Sequence, residues 1–294
     1  MRIVHTFEEV REAARGTVGL VPTMGFLHEG HLSLVGESSS VSDFTVVTIF
    51  VNPLQFSDAD DLETYPRDLD RDAAASEAAG ADLLIAPSVG YMYPEPLRTS
   101  VTVSGATASM EGLHRPGHFE GVATVVAKLF AGIRPDIAFF GRKDAQQLAV
   151  ISTLARDLSF PVKVVGCPVV REHDGLALSS RNIRLDSSHR AEARAISTGL
   201  MHAADLIESG LEEAAALTHS TAQAIMSAGD VAIDYVELAD AMSAAPSDRV
   251  GGRQFLAVAG KVGPVRLLDS ITIEHGIVDR GFVLSLPSIL YGGS

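Results

Sequence analysis

The first 170 or so residues alternate short apolar runs with amphipathic stretches, and this alternation constrains the fold more than any other feature of the chain. Continuous runs of β-branched and aromatic residues are typical of strands buried on both faces of a parallel sheet. The amphipathic stretches between them predict helices that cover those faces. Residues 1–169 are therefore expected to form a doubly wound α/β domain with a parallel sheet. The predicted strands are Val18–Met24, Phe44–Val51, Asp82–Ala86, Ile137–Phe140 and Val162–Val170.

The pattern changes after about Val170. Two alanine-rich amphipathic stretches at 189–209 and 211–228 predict long helices, and they are followed by a predicted strand at 231–238 and a hairpin with its turn at Gly260–Gly263. This mixed order predicts a smaller α+β domain over residues 170–294. From about Ile273 no period is strong, and a variable tail is expected.

Charge and cysteine content exclude several functional classes. The formal net charge is −14, and an acidic surface repels the phosphate backbone, so nucleic acid is not an expected partner. The single cysteine, Cys167, excludes an intramolecular disulfide and a cysteine-based metal cluster, and its apolar neighbours predict a buried thiol. No apolar run approaches the roughly 20 residues that span a membrane, and the N-terminus lacks an apolar signal core. A cytoplasmic protein without membrane segments is expected.

The segment Pro22–His31 joins a predicted strand to a predicted helix and carries two histidines. Ligands of open α/β sheets bind beyond the carboxyl ends of the strands, and a helix N-terminus suits phosphate. Gly25 and Gly30 allow close approach of the backbone, and His28 and His31, three residues apart on one helical face, can both point at one phosphate. Two alternatives stay open at this point: metal binding by the histidines, with His114 or His118 as a further ligand, and a structural role.

The segment Phe139–Gln147 repeats this arrangement, since a buried strand ends at glycine and a helix follows. Lys143 at such a strand end can neutralise phosphate charge in a transition state. Asp144 has the spacing of a helix cap with Gln147, and it can instead bind a ribose.

Two loops add weaker signals. Asp174–Asn182 contains small hydroxyls followed by arginine and can close over a polyphosphate, although a serine-rich turn alone is common. Asn52 and Gln55 follow an apolar strand, where amides can orient a polar substrate or simply form a turn.

In this order and spacing, the segments resemble the pantothenate synthetase family. Each stretch is common by itself, but their joint occurrence over most of the first 185 or so residues is specific, and 265–269 is a weaker match. The matching stretches are Pro22–His31, Ile49–Phe56, Tyr91–Pro94, His114–Gly121, Gly141–Gln147 and Val170–Asn182.

The resemblance implies a reaction and a fold. The family joins pantoate to β-alanine in two steps, with ATP and Mg²⁺, through a pantoyl adenylate, and releases pyrophosphate and AMP. Its fold is a Rossmann-like nucleotidyltransferase superfold related to class I aminoacyl-tRNA synthetases, with a doubly wound parallel sheet. Residues 1–169 would bind nucleotide and pantoate, residues 170–294 would form a lid, and the chain would be a homodimer.

The resemblance also implies roles for individual residues. His28, His31 and Lys143 are the catalytic candidates, with His31 as general acid. Gln55 and Gln147 would hold pantoate, and Asp72 is a candidate for a position near the metal, with no direct metal ligand assigned. The ATP site would comprise Met24, Gly25, Phe26, Leu27, His28, Glu29, Gly30, His31, Gly141, Arg142, Lys143, Asp144, Val170, Leu178, Ser179, Ser180 and Arg181.

Three positions depart from the family pattern, and they concern the shape of the adenine pocket. Arg142 replaces a frequent Glu, Ala145 a frequent Tyr and Leu178 a frequent Met. The alternatives to this function are another carboxylate-adenylating nucleotidyltransferase of the same superfold, a histidine-based metallohydrolase, and a nucleotide-binding module without activity.

Overall fold

The computed structural model describes residues 1–56, 59–94 and 97–291. Their contacts divide the chain into two compact units. The first unit comprises Met1–Leu27, His31–Phe140 and Val150–Cys167, and the second comprises His28–Gly30, Gly141–Ala149 and the chain from Pro168 onward. The functional division between residues 169 and 170 stays a prediction.

The first unit is built on a six-stranded sheet of the expected Rossmann-like type. Its order is β1-β4-β3-β2-β5-β6, and the pairs β1–β4, β4–β3, β3–β2 and β2–β5 are parallel. The chain runs outward from β2 to β3 and β4 on one side, and to β5 and β6 on the other. The switch point therefore lies between β2 and β5, where open sheets of this class bind ligands. The strands are β1 Arg2–Val4, β2 Val18–Thr23, β3 Phe44–Ile49, β4 Leu83–Ile85, β5 Ile137–Gly141 and β6 Lys163–Cys167.

The chain forms ten α-helices within the described residues, and short 3₁₀ helices at Pro53–Gln55, Arg142–Asp144, Ser180–Arg184 and Ile289–Tyr291. Local signals account for several helix ends. The sequence Thr6-Phe7-Glu8-Glu9 has the spacing that predicts a capping box, and the box forms, since the side chains of Thr6 and Glu9 each accept a backbone N–H of the other residue. The helices are α1 Phe7–Ala13, α2 Glu29–Val41, α3 Ala59–Glu63, α4 Leu69–Ala78, α5 Val89–Met92, α6 Met110–His114, α7 His118–Ile133, α8 Ala145–Asp157, α9 Ser187–Glu208 and α10 Ala214–Ala228.

The second unit contains an antiparallel sheet with the order β11-β10-β9-β8. Helices α9 and α10 contribute buried alanine, leucine and isoleucine side chains to a common core with this sheet. A second, parallel pair joins β7 to β12. The strands are β7 Val170–Arg171, β8 Ala232–Asp240, β9 Arg253–Val262, β10 Val265–Glu274, β11 Ile277–Asp279 and β12 Phe282–Val283.

Three sequence expectations need correction. Asp144 does not cap α8 from outside, because it ends the 3₁₀ turn Arg142–Asp144 that runs directly into the helix. The hairpin turn is shorter than predicted, since β9 continues to Val262. The stretch after Ile273 is not a structureless tail: it completes β10 and forms β11, β12 and a 3₁₀ helix.

Cys167 is a buried free thiol, as its apolar flanks predicted. It packs in the core of the first unit with Val21, Val47 and Phe139. In the described part of the chain, none of the helices is long and apolar enough to cross a membrane.

Candidate active site

The loop after β2 follows a path that L-residues rarely adopt. Gly25 has φ 84° and Phe26 has φ 50°, both in the left-handed region. Thr23 stabilises the start of this turn, because its hydroxyl donates to the Thr48 carbonyl at 2.6 Å and accepts the Gly25 N–H at 3.1 Å. The turn leads directly to His28.

Asp72 holds this loop from α4. Its side chain is 1% exposed, and its two oxygens accept the N–H groups of Phe26 at 2.6 Å and Leu27 at 2.7 Å. Arg71 donates to the Leu27 carbonyl at 3.1 Å and stacks on the Phe26 ring. Burial raises the pKa of Asp72, while the two amide donors act in the opposite direction. The observed contacts of Asp72 therefore orient the loop that follows β2.

The two histidines lie at the start of α2 but not both on it. His28 precedes the helix and His31 lies in its first turn, so the prediction of a shared helical face is wrong. A Cβ on Gly30 would approach the His28 ring to 2.9 Å. A side chain at position 30 would force the buried His28 imidazole to shift, so glycine allows the ring to lie this close to the backbone.

Within the second unit, Lys143 and Leu178 bring two predicted ATP-binding segments together. Lys143 Nζ donates to the Leu178 carbonyl at 3.3 Å. The Ser270 hydroxyl donates to the carbonyls of Arg142 at 2.8 Å and Lys143 at 3.2 Å, which holds the 3₁₀ turn in place. A Cβ on Gly30 would lie 3.8 Å from that of Leu178. Residues His28–Gly30, which we call the histidine segment, therefore lie beside Leu178 in the second unit.

The loop before α9 is ordered by its own backbone and by buried polar groups. Leu178 donates its N–H to Val170 at 3.0 Å, and both side chains are buried. Ser179 caps the 3₁₀ helix Ser180–Arg184 and accepts the Arg181 N–H at 3.3 Å. Gly141 ends β5 directly before the Lys143 turn, and Gln147 is half-buried in the first turn of α8.

Gln55 ends a 3₁₀ helix whose geometry depends on Asn52. The buried Asn52 donates its amide N–H to Gln55 Oε1 at 2.8 Å and to the Gly121 carbonyl at 3.0 Å. Tyr93 donates its hydroxyl to Asn52 Oδ1 at 2.7 Å, and burial raises the pKa of this phenol. The bond from Asn52 identifies Oε1 as the acceptor of the Gln55 amide, and the N–H₂ group is its donor.

A cavity of about 450 Å³ opens at the carboxyl ends of β2, β3 and β4 in the first unit. This volume is within the range of small-molecule sites. The lining includes Met24, Gly25, Ile49, Asp68, Asp72 and Ser88.

Comparison with known proteins identifies the family. A family profile described as Pantoate-beta-alanine ligase matches residues 2–272. The pantothenate synthetase of Acetivibrio thermocellus is 45% identical over 280 residues, which cover 93% of this chain and 100% of that protein. This chain belongs to the pantoate–β-alanine ligase family.

Solved structures of pantoate–β-alanine ligases share the fold. Pantothenate synthetase of Thermus thermophilus aligns with a TM-score of 0.87 at 45% identity, covering 92% of this chain and 98% of that one. The Francisella tularensis pantoate-beta-alanine ligase, solved in complex with Beta-gamma ATP and beta-alanine, aligns with a TM-score of 0.75 at 32% identity, covering 92% and 97%.

Family membership decides between the alternatives for function. The chain is a ligase that forms a C–N bond and joins pantoate to β-alanine with ATP. The predicted resemblance, fold class and activity are confirmed, in preference to a metallohydrolase, a different nucleotidyltransferase or an inactive module. Separately, no group of three or more His, Cys, Asp or Glu suited to a metal ion occurs in residues 1–56, 59–94 and 97–291.

Sequence reasoning missed several contacts that hold the predicted site segments. Tyr93 lies in a stretch that carried the resemblance, but nothing local indicated its bond to Asn52. Ser270 lies 127 residues from Lys143 in the chain, and Asp72 lies 45 residues from Leu27. Contacts of this separation have no local sequence signal.

Proposed function

We propose that this pantoate–β-alanine ligase works through a pantoyl adenylate. A carboxylate oxygen of pantoate attacks the α-phosphorus of ATP, the bond to the β-phosphate oxygen breaks, and pyrophosphate leaves. The amine nitrogen of β-alanine then attacks the acyl carbon, the bond to the AMP oxygen breaks, and the amine loses a proton as the amide forms. The first step needs positioning and charge neutralisation more than covalent catalysis.

Lys143 is the residue on which the proposal rests most directly. It supplies an amine among the proposed catalytic residues, and the hydrogen bond from its Nζ to the Leu178 carbonyl supports a position among the proposed ATP-binding segments. We assign Lys143, His28 and His31 to stabilising charge on the α-phosphate, with His31 as general acid. The same segments, Met24–His31, Gly141–Asp144, Val170 and Leu178–Arg181, are the proposed ATP site.

Gln55 and Gln147 are the proposed pantoate-binding residues. The bond from Asn52 to Gln55 Oε1 supports a donor role for the Gln55 amide N–H₂, which suits the carboxylate and hydroxyl oxygens of pantoate. Donors that are already oriented cost little to order when the substrate binds.

ATP and β-alanine are the co-substrates, which the complex of the Francisella tularensis relative supports. Mg²⁺ is proposed to enter as part of the MgATP substrate, since Mg²⁺ is commonly held through substrate phosphates and waters rather than by a protein cage. A cytoplasmic location, a homodimer and a lid function for residues 170–294 are proposed from the family resemblance. Such a lid would keep water from the adenylate until the amine arrives.

The test is pyrophosphate release from MgATP with and without pantoate, followed by formation of AMP and pantothenate after β-alanine is added. Lys143→Ala should lower the pantoate-dependent rate on the order of 10²–10³-fold, the loss typical of removing one charge-stabilising donor. Lys261→Ala, which removes an exposed lysine from β9, is the matched control and should keep the wild-type rate. If folded wild type released no pyrophosphate in response to pantoate, the proposal would be wrong. Equal rates for the two variants would refute the role of Lys143.

A further inference from the structure

The last described part of the chain, residues 279–291, lies beyond the range 2–272 matched by the family profile. We call it the C-terminal strap. It leaves β11, turns at Gly281 with φ 75°, pairs through β12 with β7, and ends in the 3₁₀ helix Ile289–Tyr291. Its contacts within the second unit lead to the proposed nucleotide-binding segments.

The start of the strap holds two of these segments. Asp279 accepts a hydrogen bond from Arg142 at 2.8 Å, directly beside Lys143. The N–H of Phe282 donates to the Val169 carbonyl at 2.9 Å, and the N–H of Leu284 donates to the Arg171 carbonyl at 2.8 Å. These two bonds flank Val170.

The middle of the strap holds Glu29, the first residue of α2. The Ser288 hydroxyl donates to Glu29 Oε2 at 2.5 Å, and the Ile289 N–H donates to Glu29 Oε1 at 2.7 Å. Ser288 is 1% exposed. Glu29 lies between His28 and Gly30, so this contact sets the position of the histidine segment from outside it.

The end of the strap is connected through Glu172 to the loop Asp174–Asn182, which we call the serine–arginine loop. The Tyr291 hydroxyl donates to Glu172 Oε1 at 2.9 Å, and the same oxygen accepts the Asn182 amide at 2.8 Å. Glu172 is 1% exposed and is also bound by Arg190 at 2.6 Å. Burial raises the pKa of Tyr291 to about 12, so its hydroxyl stays protonated and can donate at neutral pH. Asn182 directly follows Arg181 in the chain.

We propose that the C-terminal strap is a positioning element for ATP, in which Ser288 and Tyr291 hold the histidine segment and the serine–arginine loop in their binding geometry. The inference rests on the proposed function of those segments. One short segment bonded to Arg142, to residues 169–172 and to Glu29 lowers the conformational freedom of these three segments before the nucleotide arrives. Less conformational entropy is then lost when ATP binds, so the affinity for ATP is higher. Because the strap contacts the proposed ATP-binding segments, we expect this increase in affinity for ATP and not for pantoate.

The experiment uses the full chain with Ser288→Ala, Ser288→Thr and Tyr291→Phe. Leu286→Ala is the matched control, since this strap residue is 73% exposed. Initial rates of pyrophosphate release are measured with ATP varied at saturating pantoate and with pantoate varied at saturating ATP. The melting temperature and the Kd for ATP, from calorimetry, are measured on the same variants.

Ser288→Ala and Tyr291→Phe should each raise KM and Kd for ATP roughly tenfold, as expected when one hydrogen bond to a carboxylate is lost. The KM for pantoate should stay within about twofold of wild type. Ser288→Thr, which keeps the hydroxyl, should recover most of the ATP affinity that Ser288→Ala loses, and the exposed Leu286→Ala should match wild type. A lower melting temperature with unchanged KM and Kd for ATP in both variants would refute the proposal and leave the strap a purely structural element. Tyr291→Phe keeps the ring and tests the idea even if Ser288→Ala does not fold.

The two hypotheses fail in different ways. A folded wild type without pantoate-dependent turnover would contradict the proposed function, and the Kd for ATP would still test the strap. Normal turnover in wild type, with variants indistinguishable from it, would contradict the strap alone.

Discussion

Gly121→Ala is expected to disturb pantoate binding by displacing Gln55, a proposed pantoate-binding residue. Gly121 lies in the first turn of α7, where the helix meets the 3₁₀ helix Pro53–Gln55. A Cβ at this position would lie 2.8 Å from the Gln55 nitrogen and would overlap the Leu54 carbonyl. The Gly121 carbonyl also accepts the Asn52 amide that orients Gln55.

The magnitude follows from three contributions. Carbon atoms pack best at about 3.5–4.0 Å, so the two elements must separate by roughly 1 Å, and overpacking of this kind costs about 1–3 kcal/mol. Loss of the Asn52 bond to Gly121 adds about 0.5–1.5 kcal/mol. Alanine returns up to about 1 kcal/mol through its better helix propensity. The free energy of unfolding should therefore fall by roughly 0.5–4.5 kcal/mol.

A displacement of Gln55 on this scale should lower kcat/KM for pantoate on the order of 10–100-fold. Urea unfolding measures the stability change, and pyrophosphate release at varied pantoate measures the functional change. Gly36→Ala is the control, because Gly36 lies inside α2 with nothing within 4 Å of the added Cβ. It should gain about 0.5–1 kcal/mol. If Gly121→Ala were as stable as Gly36→Ala and kept the wild-type KM for pantoate, the packing argument would be wrong.

Two further predictions follow from buried carboxylates. Asp269→Ala leaves the buried Arg171, bound to it at 2.5 Å, without its main anionic partner and should lower the free energy of unfolding by about 3–5 kcal/mol in chemical denaturation. In wild type the two oxygens of Asp72 accept the N–H groups of Phe26 and Leu27. Asp72→Asn replaces one of these oxygens with an amide N–H₂, which faces a backbone N–H and cannot accept from it. The loop should shift, and the pyrophosphate release rate should fall at least about tenfold. The exposed Asp70→Asn removes the same charge and should keep the wild-type rate; equal rates for both would contradict a role for Asp72 in holding the loop.

Local patterns predicted the elements whose causes are local. The capping box at Thr6 and Glu9 formed as its spacing predicted. The apolar run at 44–51 became β3, and the alternation of strands and helices gave the parallel sheet. Short elements were missed, such as β1 and β11, because three residues are too few to show a period.

The site was predicted as a set of segments and not as an arrangement. The segments that directly follow β2 and β5 were predicted to bind ligand, because the carboxyl ends of parallel strands lie at one edge of the sheet. The bond from Lys143 to the Leu178 carbonyl joins residues 35 positions apart, and no periodicity encodes such a contact. His28 was expected on a helix, and it precedes α2 instead.

By itself the sequence determined the fold class and the family, because these depend on periodicity, spacing and residue type, and it supplied the candidates for the reactive groups. Only the tertiary structure decided how these groups are held. Asp72 occupies both its oxygens with loop amides, Asn52 turns the Gln55 amide so that it donates, and Ser288 binds Glu29 from 259 residues away. These choices depend on which side chains meet after the chain has collapsed, and that is set by packing between elements distant in sequence.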